Sequence, residues 1–344
     1  MSRKTDLPAW RLFLIFSILF LSILAIFPFT TRLRAALKPV TIFSALTATS
    51  AQLPLLGAIK DGWPGRDVKI EWWKNLDELR SVVLSGKGEI WVGHLETFAR
   101  AAARGAPVKL SSVTVWRKFY FISAPLSFDP GGPERYPNSV EELLDWASKR
   151  ELVVPMAPQN SPAEGLLKSL ISKVGHPILS QGLAPQQLSL ELIEARRPFG
   201  LMPEPLASQA ALKSERLKII GSLEEFYSSH FGGQGLIPQA GIAVNLNFYN
   251  LDPGLTYNLV ALMSKWAQKI TDQGSLAAIE LLPLQTQEAL GLEVLKASLT
   301  REPILARPTW EVKSEIDSFL RLSARELYQN SASGPPNTFF LAPR

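Results

Sequence analysis

From residue 39 onward the chain alternates short β-branched apolar runs with longer stretches of helical apolar spacing, and small polar loops mark the joins. That alternation constrains the fold more than any other feature, because strands separated by helices pack as α/β layers with largely parallel sheets. "KPVTIFSAL" reads as a strand leading into the polar "TATSAQ", and "LPLLGAIKDGW" follows with helical spacing and a glycine stop. "DVKIEWW" alternates as a strand, and "NLDELRSVVLSGKG" opens with Asn75 as N-cap and Glu78 three residues on. "EIWVG", "APVKLSSVTVW" and "KFYFISA" read as strands, with the helix "LETFARAAARG" between the first two.

The Pro/Gly-rich "PLSFDPGGPERYPN" then interrupts, and a capping box in "SVEE" opens the helix "VEELLDWASKR". The order of elements repeats: strand "ELVVPM", polar loop "APQNSPAE", helix "GLLKSLISKVG", then "LAPQQLSLELIEARRP", strand "FGLMPEP" and helix "LASQAALKS". The residues of the two halves match too poorly to be a sequence repeat, so the reading is two similar α/β lobes. The last third holds the strand "GIAVNLNF", the helix "PGLTYNLVALMSKWAQKI" and the amphipathic "TWEVKSEIDSFLRLSARELYQN". The expected organisation is an N-terminal segment at 1–38, lobe I at 39–122 plus 236–330, lobe II at 123–235, and a flexible tail at 331–344.

The 344 residues carry a formal charge of +5, which would suit a nucleic-acid binder if it were spread over a folded surface. It is not: residues 1–38 contain Arg3, Lys4, Arg11, Arg32, Arg34 and Lys38 against Asp6 alone, and the remainder has 30 basic and 30 acidic side chains. No nucleic-acid partner is expected. Between those basic residues lies "LFLIFSILFLSILAIFPF", residues 12–29, an uncharged apolar run of 18 residues that would make about 27 Å of helix, close to a bilayer's hydrocarbon thickness. It reads as a signal peptide or as a signal anchor that holds the chain at the inner membrane. Cleavage after Ala36 would put Arg34 at −3, and cleavage after Ala25 would put Ile23 there, which favours the anchor. Either reading makes the rest of the chain periplasmic or otherwise extracytoplasmic.

There is no cysteine, which removes disulfides, thiolate metal sites and cysteine nucleophiles together. His94 and Glu96 form H-x-E, but a zinc deaminase site would also need a cysteine pair. On an extended segment residues two apart project to one side, so the pair also reads as a base and its orienting carboxylate. No G-x-S-x-G, H-E-x-x-H or Walker loop accompanies it. Cleft contact, a satisfied structural histidine and a metal or catalytic role therefore stay open for His94. His176 and His230 read as structural or solvated. "TATSAQ" and "APQNSPA" serve equally as helix caps and as anion-holding loops, since each precedes a helix N-terminus. Trp63, Trp72, Trp73 and Trp91 gather in the first lobe; most suit a core, and one lining a cleft would suit an organic ligand.

The order and spacing of "TIFSALTATSAQLPLLGAIKDGW", "DELRSVVLSGKGEIWVG", "AAARGAPVKL", "NSVEELLDWASKRELVVPMAPQNSPAEGLLKSLISKVG", "LMPEP" and "PQAGIAVNLNFY" resembles the nitrate/sulfonate/taurine group of ABC-transporter substrate-binding proteins, over roughly residues 40–270. The resemblance implies a type II periplasmic-binding-protein fold: two α/β lobes joined by two crossing strands, near "FYFISA" and "PQAGIAVN", closing on a small solute. It implies ligand contacts at Thr47, Ser50 and Gln52, at His94, Glu96 and Thr97, at Asn160 and Ser161, at Glu204, and at Gln239 by the return crossing. No catalytic residue, cofactor or metal is implied. The implied role is capture of an oxyanion, sulfonate or small organic solute for an ABC permease and its ATPase. Trp91, and the region of Phe199, stand where relatives often keep aspartate, which leaves the ligand class open. Two other functions fit the same architecture: an enzyme related to pyrimidine-precursor biosynthesis, and a membrane-anchored sensor or scaffold.

Overall fold

The structure, a computed structural model, describes residues 38–159, 161–174, 179–329 and 334–343. The apolar run at 12–29 and His176 lie outside the described residues. None of the described helices is long and apolar enough to cross a membrane.

The chain begins with β1 (Val40–Ser44), α1 (Thr49–Lys60), β2 (Val68–Trp72), α2 (Leu76–Leu84), β3 (Ile90–His94), α3 (Leu95–Ala103) and β4 (Val108–Val115). It continues through β5 (Phe119–Ser123), a small hairpin of β6 (Leu126–Ser127) and β7 (Glu134–Arg135), α4 (Val140–Ser148), β8 (Val154–Met156) and α5 (Pro162–Val174). Then come β9 (Ser180–Gly182), α6 (Pro185–Ile193), β10 (Phe199–Pro203), α7 (Leu206–Lys213), β11 (Lys218–Ser222) and α8 (Leu223–Phe231). The last part comprises β12 (Ala240–Asn245), α9 (Leu246–Leu251), α10 (Pro253–Gln273), α11 (Leu284–Leu290), α12 (Leu292–Arg301), β13 (Arg307–Pro308) and α13 (Lys313–Ser323).

Two sheets result. The first has six strands in the order β13-β4-β12-β3-β1-β2, and the second has five in the order β11-β5-β10-β8-β9. Both are mixed rather than largely parallel. β1 pairs in parallel with β2 and β3, whereas β12 runs antiparallel to both β3 and β4. In the second sheet β8 is parallel to β9 and β10, and β5 is antiparallel to β10 and β11. β12 and β5 are antiparallel because they lie at the crossings, where the chain enters a sheet from the other lobe, and the short β13 at the edge of the first sheet is antiparallel to β4 as well.

The central strands β3, β4, β5 and β12 are buried almost throughout, which is why β3, β5 and β12 are largely apolar, while β4 buries Lys109, Ser111, Ser112 and Thr114 among its apolar residues. Gly241 lets β12 close on β4 at a register shift, since a Cβ there would stand 2.1 Å from the Ser112 carbonyl oxygen. The helices start where their capping residues direct. Asn75 accepts the Glu78 amide at 2.9 Å, Ser139 that of Glu142 at 3.1 Å, and Ser222 that of Glu225 at 3.0 Å.

Three boundaries differ from expectation. β5 belongs to the second sheet, so the outward crossing falls at Trp116–Lys118, ahead of the expected boundary at 122. α13, expected in lobe I, packs against α5 of lobe II as well as against α3, and Ile316, Phe319 and Leu320 join Phe98 and Leu110 to Leu166 and Leu170 in one apolar cluster. Where a flexible tail was expected at 331–344, the described residues 334–343 are packed. Phe339 and Leu341 are fully buried, the Leu341 amide donates to the Leu110 carbonyl at 2.9 Å, and Lys109 Nζ donates to the carbonyls of Thr338 at 2.8 Å and Phe340 at 3.2 Å. "FFL" supplies the burial that a polar Ser/Gly/Pro composition conceals.

Candidate ligand-binding cleft

Between the two sheets lies a cavity of about 430 Å³. Lobe I contributes Thr47 and Ala48 after β1, Trp73 to Leu76 after β2, and Gly93 and His94 at the end of β3. Lobe II contributes Pro158 and Gln159 after β8, Pro203 to Leu206 after β10, and Pro185 and Gln186 at the start of α6. Val115, Lys118, Phe119, Gln239 and Ala240 come from the two crossings. Most of the lining thus sits beyond the carboxyl ends of parallel strands, where open α/β sheets offer their ligand sites.

Helices α1, α3, α6 and α7 all begin at this cavity, and none has a side-chain hydrogen bond from its N-cap residue. Their first N–H groups bring the positive ends of four helix dipoles toward one space. At α7 Glu204 answers that field, since its Oε2 accepts the Ser208 amide at 2.9 Å and its Oε1 accepts the Ser208 hydroxyl at 2.7 Å, with Arg301 at 3.4 Å. Burial, together with the neighbouring Glu302 carboxylate, pushes the Glu204 carboxyl up from its ordinary range.

Two buried carboxylates hold the crossing segments, Glu224 both of them and Glu302 the outward one. Glu224 Oε1 accepts the backbone amides of Lys118 at 2.8 Å and Phe119 at 3.0 Å and the side-chain amide of Gln239, so one oxygen holds both crossing segments. Burial pushes the Glu224 carboxyl up to about 7. Glu302 Oε1 accepts from Lys118 Nζ at 2.6 Å and from the Ser50 hydroxyl at 2.9 Å. Neither Glu224 Oε2 nor Glu302 Oε2 has a hydrogen-bond partner among the described residues.

Of the ten residues expected at a ligand site, Thr47, His94, Glu204 and Gln239 line the cavity. Asn160 lies outside the described residues. Ser50 and Gln52 are not in a loop, because α1 already begins at Thr49. Ser50 is committed to Glu302, and Gln52 accepts the Ser44 hydroxyl at 3.1 Å. Ser161 is buried and does not line the cavity.

Glu96 and Thr97 lie in the first turn of α3 and do not line the cavity. His94 closes β3 and serves as N-cap of α3, so Glu96 stands in the first helical turn, about 200° around the axis from His94 instead of beside it. His94 Nδ1 accordingly has no partner among the described residues, and the base-and-orienter geometry is not formed. Burial, reinforced by the Lys118 and Arg80 charges, lowers the His94 pKa to about 4 and keeps the ring neutral.

Trp91 is fully buried and donates its Nε1–H to the Lys87 carbonyl at 2.8 Å. Trp73 is the tryptophan that lines the cleft, its Nε1–H donating to the Val92 carbonyl at 3.0 Å. The residues missed from sequence are Lys74, Lys118, Gln159 and Gln186 in the lining, with Glu224, Arg301 and Glu302 behind it. For Glu224 a signal existed, since "SLEE" at 222–225 repeats the capping pattern of "SVEE".

No protein-family model matches the sequence, and no curated protein matches it. Solved structures match over most of their length. An ABC transporter structure from Parabacteroides distasonis is 14% identical with a TM-score of 0.65, covering 90% of this chain and 99% of its own. The periplasmic aliphatic sulphonate binding protein SsuA from Escherichia coli is 12% identical with a TM-score of 0.64, covering 89% and 92%. The periplasmic nitrate-binding protein NrtA from Synechocystis PCC 6803 is 11% identical with a TM-score of 0.61, covering 86% and 83%. The chain therefore has the fold of these binding proteins, the type II periplasmic-binding-protein fold. At such identities the likeness establishes the fold and leaves the solute to be argued from the cleft.

Proposed function

We propose that this chain is the extracytoplasmic solute-binding component of an ABC importer, which closes its two lobes around a small molecule with an anionic head group and presents it to a permease and its ATPase. The observation that supports this reading best is the convergence of four helix starts on one cavity between two lobes whose lining includes Lys74 and Lys118. Lys118 spends one of its three N–H donors on Glu302 and keeps two. Trp73, Leu76 and Leu206 supply apolar wall, which suits an organic body behind an oxyanion or sulfonate head. The binding step needs no bond chemistry; solute contacts made with both lobes at once favour the closed arrangement.

A thermal-shift screen of the full chain in detergent, against oxyanions, alkanesulfonates, amino acids and pyrimidines, tests the reading. A bound solute at a hundred times its Kd adds about 2.7 kcal/mol of stability and so raises Tm by a few degrees. Lys74→Gln and His94→Ala are expected to weaken binding by roughly tenfold. Absence of a shift with every class, or full affinity in both variants, would overturn the proposal.

A further inference from the structure

A second cavity, of about 400 Å³, opens between α2, α3 and the turn Arg325–Tyr328. Arg80, Leu84, Thr97, Arg100, Arg104 and Glu326 line it, and the cleft residues do not. Its polar lining is mostly donors. The Thr97 side chain is 2% exposed, and its hydroxyl has no partner among the described residues. Arg100 gives Nε to Glu326 at 2.6 Å and Nη2 to the Ser323 carbonyl at 3.1 Å, which leaves its Nη1 group over. Arg80 is held on one side by Asp77 at 2.9 Å. Arg104 is the C-cap residue of α3, four residues beyond Arg100, and both line the cavity. Among the described residues Glu326 is the one acidic side chain in the lining, and Arg100 already takes one of its oxygens; the buried Glu96 outside the lining also feels the Arg100 and Arg80 charges.

A buried hydroxyl without an acceptor and a surplus of guanidinium N–H groups need a ligand rich in acceptor oxygens. A carboxylate offers two oxygens, whereas a phosphate monoester offers three terminal ones with more charge, matching forked donors from several directions. We propose that this cavity is a second ligand site, separate from the cleft, that binds a phosphate-bearing small molecule through Arg80, Arg100, Arg104 and the Thr97 hydroxyl. The space left beyond a phosphate is enough for a small organic group.

The experiment is isothermal titration calorimetry of the full chain in detergent with inorganic phosphate and with glycerol 3-phosphate, potassium chloride holding the ionic strength constant. Saturable binding of either probe is expected, weakened by about tenfold or more in Arg104→Gln and in Thr97→Val and retained in Lys74→Gln. Arg104 is exposed, so its variant is expected to melt like the parent and any loss of binding reads as loss of the contact. Tighter binding of glycerol 3-phosphate would assign the remaining space to an organic phosphate, and equal binding would assign the site to the free ion. No saturable heat up to roughly 10 mM of either probe, or equal affinity in the parent, Arg104→Gln and Thr97→Val, would overturn the proposal.

Discussion

The Glu224 carboxyl accepts three hydrogen bonds on one oxygen and, among the described residues, none on the other, and burial pushes its pKa up to about 7. A carboxyl raised above its unfolded value favours folding most where both states are protonated, below about pH 4.5. That contribution is lost as pH rises through 7, because the folded protein must then ionise a group that the unfolded chain ionises freely. Over this interval the loss amounts to at most about 3 kcal/mol. Glu96, also raised by burial to about 7, acts in the same direction, while the lowered His94 opposes both between pH 4 and 6.5. Glu224→Gln keeps an acceptor for the Lys118 and Phe119 amides and carries no charge. It is expected to gain on the parent by up to about 3 kcal/mol at pH 8 and to lose that advantage by pH 5. Urea unfolding of both proteins at the two pH values measures this, and parallel pH dependences would show that Glu224 is not the group responsible. At this scale His94 was legible as a strand-end residue. Its separation from Glu96 was not, since only the residue at which β3 becomes α3 decides which side chains share a face.

Elements were read well wherever apolar period and cap agreed. α2 and α4 begin at Asn75 and Ser139, the residues their sequences single out. Ser139→Ala is expected to cost about 1 kcal/mol in urea unfolding and, because α4 does not line the cleft, to leave solute affinity unchanged. A change in affinity would mean that lobe II transmits strain from α4 to its loops. β11, α8, α11 and α12 escaped the sequence reading because their apolar periods are short and broken by polar residues. Two of these lie beside the residues behind the cleft: Glu224 on α8 holds both crossings, and Glu302, just after α12, holds Lys118, while Arg301 at the end of α12 reaches Glu204 and Ser208. Ser50 and Gln52 read as part of the polar stretch "TATSAQ" because α1 begins at Thr49, four residues ahead of its apolar run at Leu53; α3 begins at Leu95, where the helix "LETFARAAARG" reads as starting.

In the whole molecule, the C-terminal third ties the lobes together. α12 packs on α7 and α13 on α5, both in lobe II, while the final residues close on β4 in lobe I. Phe339→Ala would empty a fully buried site and is expected to cost about 3–5 kcal/mol in urea unfolding; a loss under about 1 kcal/mol would mean that this segment does not pack. By itself the sequence determined the alternation of strands and helices, the two-lobed α/β class and several helix starts. These depend on periodicity and capping chemistry within a dozen neighbouring residues. Tertiary structure alone decided that β5 joins the second sheet, that Glu224 and Gln239 meet across the crossings, and that three arginines and a threonine share a second cavity. Such pairings join residues far apart in the chain, and their register comes from burial of whole faces, which no local pattern encodes.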